Sequence, residues 1–186
     1  MTPRIPDFDP NCLSPEQRRI HDEIVASPRG KVEGPLRVWL TSPDLADRAQ
    51  SLGAFARYGT TLSPRLTELA ILVTGAHWRA GFEWYVHAPI AQAAGISVEA
   101  IEAIRQGERP ELPSEDEEAV YDFARELLQT HAVSDETYAR TQHLVGDRGV
   151  VDLVGVLGYY GLISMTIKAF RVPVPDAPEP FAEVHT

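Results

Sequence analysis

Residues 66–72 read Leu66-Thr67-Glu68-Leu69-Ala70-Ile71-Leu72, and residues 83–91 read Glu83-Trp84-Tyr85-Val86-His87-Ala88-Pro89-Ile90-Ala91. The first segment follows Ser63-Pro64, and Leu66, Leu69, Ala70 and Val73 recur at the helical period to mark one apolar face. Glu68 lies beside that face, too far into the helix for the N-terminal dipole to account for it. In the second segment Glu83 and His87 are four residues apart, so a helix places them on one face, one turn apart. A core-facing helix that carries a carboxylate and an imidazole beside Trp84 and Tyr85 holds either a proton-transfer constellation or a buried ion pair.

Working outward, the chain spells helices throughout and no alternating strand. Ser14-Pro15, Ser42-Pro43 and Ser63-Pro64 are three helix starts of one design. Serine at the N-cap accepts an orphan backbone N–H, and proline at the first helical position loses no donor that would have been paired. Gln17 completes a capping box with Ser14, and Glu117 is expected to do the same with Ser114. Leu45, Ala46, Ala49, Leu52, Phe55 and Ala56 keep helical period after Ser42. A helix from Gly81 to Ala94 ends at Gly95, with a kink expected at Pro89, whose ring cannot donate to the Tyr85 carbonyl. Ser97 opens a short helix to Arg105, and Gly107–Pro113 is a linker. Val120, Phe123, Ala124, Leu127 and Leu128 form the inward face of the next helix. Ser134 starts another, closed at Gly146, and an apolar helix over 149–167 carries Gly155, Gly158 and Gly161. From Val172 onward, four prolines predict an extended or disordered tail. The reading is all-α, an antiparallel helical bundle.

The totals narrow the function classes. With 186 residues, 44% hydrophobic and 24% charged, the chain is long enough for a real core and too apolar for global disorder. A formal charge of −10 and the lack of any Lys/Arg run argue against nucleic acid as a partner. The single cysteine, Cys12, rules out an intramolecular disulfide or a Cys-x-x-Cys redox pair. The opening Met-Thr-Pro-Arg-Ile-Pro-Asp has no apolar signal region, which predicts a cytoplasmic location. The 149–167 run approaches membrane-spanning length, but its glycines and its single charge, Asp152, favour a buried or subunit-interface helix over a span.

The two opening segments, with Ala94-Gly95-Ile96-Ser97 after them, resemble the carboxymuconolactone decarboxylase family, which also contains alkyl hydroperoxidase D. The resemblance extends over residues 35 to 175. It implies an alkyl hydroperoxidase D-like helical domain over 35–172, preceded by an arm with a short helix (1–34) and followed by a Pro-rich tail (173–186). In the hydroperoxidase branch a glutamate precedes Cys-x-x-Cys and a histidine. Here Glu68 and His87 match the glutamate and histidine, while the cysteine positions hold Ala80 and Glu83. Thiol-based peroxide reduction is therefore disfavoured, unless Cys12 of another subunit served.

What remains is the decarboxylase-type expectation: a cofactor-independent acid–base enzyme acting on a small organic acid or lactone. The resemblance implies no cofactor, no metal, and a homo-oligomer, trimer or hexamer. His87 is the proton carrier, Glu68 or Glu83 its partner. Trp78, Arg79, Trp84, Tyr85, Tyr159 and Tyr160 are the expected substrate-binding residues, with Arg79 beside the Gly81 helix start as an anion seat. The alternatives are a ligand-binding or structural protein in which the Glu–His pair is purely structural, and Glu68 engaged instead with Arg65 or Arg57. His77, His131 and His143, each near a helix end, read as surface residues.

Overall fold

The computed structural model describes residues 2–182. Among them eight α-helices and one 3-10 turn, Pro10–Cys12, account for all regular structure, with no strand. The helices are α1 (Pro15–Ala26), α2 (Pro35–Trp39), α3 (Pro43–Tyr58), α4 (Pro64–His77), α5 (Gly81–Ala93), α6 (Val98–Gln106), α7 (Glu115–Thr130) and α8 (Asp135–Phe170).

Capping decides where these helices begin. Ser14 and Gln17 form the expected reciprocal box, and Ser63, Ser97 and Ser134 each accept a backbone N–H from the first turn. Ser42 differs: Pro43 sits at the start as expected, but the serine side chain makes no cap bond. Ser114 departs further. Its hydroxyl donates to Glu117 Oε2 at 2.8 Å instead of accepting from the backbone, and Glu117 turns inward to meet Arg65 Nε at 3.1 Å. The capping box is lost because the Ser114 hydroxyl is engaged by two carboxylates, Asp116 at 2.5 Å and the fully buried Glu117 that also pairs with Arg65.

Helix α4 is the axis of the fold. Every residue from Leu66 to Gly75 is buried, and the helix packs on α5, α6, α7 and α8. A helix covered all round can carry a polar side chain only if a neighbour satisfies it. Thr74 returns its hydroxyl to the Ala70 carbonyl at 2.9 Å, and Glu68 looks to α5. Asp152, the lone charge of the apolar run, is likewise buried and accepts from the Thr61 backbone and hydroxyl at 2.7 and 2.8 Å.

Of the two breaks expected, one is absent and one is present. Helix α5 continues through Pro89 without interruption. Helix α8, continuous in outline, is broken at Gly146 (φ 74°, ψ 169°), where the sequence placed a helix end. That backbone region is open essentially to glycine alone. The most apolar window of α8 is 67% buried, so this helix spends its hydrophobicity on the core.

The arm and the tail join the same core as α4. Ile20 and Ile24 of α1 are buried against it, and so is Phe181. The tail has no helix but is tethered: Arg105 donates to the Pro180 carbonyl and Arg79 to the Phe181 carbonyl, each at 2.7 Å. Residues 183–186 of the expected tail lie outside the described residues.

Candidate active site

Glu68 of α4 and His87 of α5 meet across the seam between the two helices. His87 Nδ1 lies 2.7 Å from Glu68 Oε2, and Nε2 of the same ring lies 3.2 Å from Glu83 Oε1. All three side chains are about 95% buried. One imidazole thus stands between two carboxylates, one at each nitrogen. The contact to Glu83 has ion-pair distance but not hydrogen-bond alignment, and Oε1 finds no hydrogen-bond partner. Opposite nitrogens of a ring cannot ligate one ion, and no metal-binding cluster of three acidic, His or Cys side chains occurs among the described residues.

Glu83 and His87 line a cavity of about 60 Å³, together with Arg29, Arg57, Phe82, Tyr159 and Tyr160. Exposed Lys31 also lines it, so the cavity reaches the surface. The space suits a few waters or one small reacting group. Glu68 does not line it and stands behind the ring. Tyr160 sets its ring edge-on to the imidazole, 5.1 Å between centroids, and Tyr159 packs edge-on to Tyr160 and to Trp39. Arg29 Nη2 donates to the Tyr159 hydroxyl at 3.2 Å, while its Nε has no partner among the described residues.

Burial sets the electrostatics. It raises the Glu83 carboxyl above its ordinary value, opposed by the nearby His87, with Arg57 and Arg29 pulling the same way as His87. Burial likewise pushes the Tyr159 phenol up to about 12 and the Tyr160 phenol well above its usual range. Both hydroxyls therefore remain protonated donors at neutral pH.

In sequence, no family model matches the chain and no curated protein does. In structure, the chain is similar to a peroxidase-related protein of Ralstonia eutropha JMP134, described as an alkylhydroperoxidase AhpD core. The TM-score is 0.77 at 15% identity, over 94% of this chain and 93% of that one. A peroxidase-related protein from Silicibacter sp. TM1040 superposes with TM-score 0.75 at 14% identity, over 96% and 94% of the two chains. A cysteine-to-alanine variant of the debrominase Bmp8, in complex with 2,3,4-tribromopyrrole, gives 0.75 at 13% identity, over 97% and 95%. The chain has the AhpD-like fold.

On this AhpD-like scaffold the residues expected at the site divide sharply. His87, Glu83, Tyr159 and Tyr160 share the cavity, with Glu68 behind His87. Trp78, Arg79, Trp84 and Tyr85 do not line it. The reason is angular, since each step along a helix turns about 100°. Trp84, one step past Glu83, packs edge-on to Phe181 at 5.4 Å, and Tyr85, two steps past, is 42% exposed. Trp78 lies at the end of α4 with its ring edge-on to His77. Arg79, at φ 49°, reaches the Phe181 carbonyl, so it ties down the tail and seats no anion in the cavity.

The cationic groups at the cavity are instead Arg29 and the exposed Lys31, from the loop after α1, and Arg57, near the end of α3. Glu68 pairs with neither Arg65 nor Arg57, since Arg65 is taken by Glu117. Arg29 has no periodic signal in the sequence. Its one trace is Gly53, set among Ala46, Ala49 and Ala56 on the buried face of α3. A Cβ there would run into the Tyr159 hydroxyl and come within 2.5 Å of Arg29 Nη2.

Proposed function

We propose that this AhpD-like protein is a cofactor-independent acid–base enzyme acting on a small organic acid or lactone, by decarboxylation or a related proton shift. The observation that carries the reading is His87 held at both nitrogens by buried carboxylates, at the wall of a cavity that also holds two guanidinium groups. Glu68 accepts the Nδ1–H and fixes the tautomer, which leaves Nε2 to face Glu83. With Glu83 protonated, as its burial favours, its proton can pass to Nε2 once the 3.2 Å contact comes into line. That proton is the one offered to substrate. Loss of CO2 from a carboxylated lactone leaves the electron pair of the broken C–C bond delocalised in the ring. The offered proton then quenches the carbon that lost CO2. Arg29 and Arg57 supply the positive potential for a carboxylate, and the Tyr159 and Tyr160 hydroxyls are available to developing oxyanion charge.

Thiol chemistry fits this cavity poorly. Ala80 and Glu83 stand where the peroxide-reducing pattern has cysteines, and Cys12 is exposed in the 3-10 turn, where its thiol meets Asp9. We also propose homo-oligomer assembly through the outer face of α8. Val151, Val154 and Met165 are exposed there, alongside Gly158.

The test is a panel of small carboxylic acids and their lactones in D2O, followed by NMR for CO2 loss and for C–H exchange. His87→Asn and Glu83→Gln are expected to lower the rate on a turned-over substrate by roughly 10²- to 10⁴-fold, with circular dichroism unchanged. Turnover equal to wild type in both variants rejects the acid–base assignment.

A further inference from the structure

At about 60 Å³ the cavity at His87 admits only the reacting end of a substrate, so the rest of the molecule has to lie elsewhere. A second hollow of about 260 Å³ adjoins it, walled by Ile5, Pro6, Val38, Phe170, Val172 and Pro173. These walls come from the N-terminal arm, α2, the end of α8 and the start of the tail, and most of the lining is apolar, with Asp7, Glu33 and Arg37 the charged exceptions. Phe82 and Glu33 line both spaces. Phe82 is one residue before Glu83 on α5, so its ring is the partition between the proton-transfer pair and the apolar hollow. The ring is set hard against Gly34 (φ 54°), where any Cβ would collide with it. A glycine is thus required on one side of the partition for the ring to stand where it does.

The geometry points to a two-compartment substrate site: the reacting polar head at His87 and an apolar alkyl or aryl body in the hollow beyond Phe82. This rests on the acid–base reading of His87 given above and narrows it to amphipathic acids. The occupant follows from continuity and chemistry, because the hollow shares two wall residues with the reacting cavity and offers an attached chain mostly prolines and aliphatic side chains. The Arg37–Asp7 ion pair also borders the hollow, and Arg37 Nε there has no hydrogen-bond partner among the described residues.

The experiment compares acetate with octanoate on the full chain, reading the His87 imidazole proton resonances by NMR. Burial of each added methylene should tighten binding by roughly fourfold at most, so the six extra methylenes should give octanoate an advantage of about 100-fold or more. Val38→Glu charges the wall of the hollow and should remove that advantage while leaving acetate unchanged. Ile5→Glu, on the arm, provides the same test if Val38→Glu fails to fold. Equal affinities for the two acids, or an advantage that survives both variants, overturns the proposal. So does octanoate that binds without moving the His87 resonances, which would place its carboxylate at Arg37. A changed mass in light scattering, with both affinities unaltered, would give the hollow to a second copy of the chain instead. If acetate itself leaves His87 unmoved while octanoate binding still depends on Val38, the acid–base reading fails and the hollow stands as a separate apolar site.

Discussion

Between Glu68 and Glu83, the His87 ring has two unequal neighbours, and the inequality is what makes a proton available. Glu68 makes an aligned contact of 2.7 Å and lies behind the ring, so it orients; Glu83 makes a looser one and lines the cavity, so it exchanges. Glu68→Gln is expected to keep the fold and lower kcat by about 10-fold to 100-fold with KM little changed, because the imidazole loses the partner that orients it. A kcat equal to wild type contradicts the orienting role. Glu83 also predicts a stability effect. Its folded carboxyl binds a proton more tightly than the unfolded one, whose ordinary value is 4.5. Stability from this group is therefore complete below pH 4.5 and is lost as pH rises through the raised folded value. Relative to wild type, Glu83→Gln should gain stability as pH rises above 4.5, read as a growing difference in urea midpoint. A difference that shrinks as pH rises refutes the shift.

Among the elements, α3 and α8 do most to shape the site. The inner face of α3 is Ala46, Ala49, Gly53 and Ala56, and this thinness leaves room for Arg29 to reach Tyr159. Gly53→Ala should cost about 1–3 kcal/mol in chemical denaturation through overpacking, and should disturb the cavity although residue 53 does not line it. Expecting Leu45, Leu52 and Phe55 inward from their period would be misleading: each is about 40–45% exposed, and the small residues face the core. Periodicity identifies a helix; which stripe is covered depends on the neighbour that arrives. In α8 the break at Gly146 lets the apolar segment leave the direction of the polar, mostly exposed turns that precede it. Gly146→Ala should lower stability by about 1–3 kcal/mol, measured as a fall in Tm, since no space is contested there and the cost is purely conformational.

For the whole molecule, the outer side of α8 exposes apolar surface that no contact inside the chain explains. Val151 is 70% exposed and Val154 47%, with Met165 three turns further along. Added Cβ atoms at Gly155 and Gly158 would meet nothing within 4 Å, so their smallness serves no contact inside this chain. The proposed assembly predicts that Val151→Glu combined with Val154→Glu yields a lighter species by multi-angle light scattering, at wild-type helicity. An unchanged mass excludes this face as the interface.

Residue type and spacing alone were enough to specify an all-helical chain, its serine- and proline-marked starts, the stop at Gly146 and the likeness to the AhpD-like scaffold. They were enough, too, to single out Glu68, Glu83 and His87, because a charged group at helical spacing on an apolar face is visible in one dimension. Tertiary packing alone assigned the two carboxylates to opposite nitrogens, brought in Arg29 and Arg57, sent Trp84 and Arg79 to the tail, and set Phe82 between two hollows. The physical reason is that a cavity is the space left where several helices fail to touch. Its walls come from segments distant in the chain, and their side chains point where the crossing of helices directs them, which no local pattern encodes.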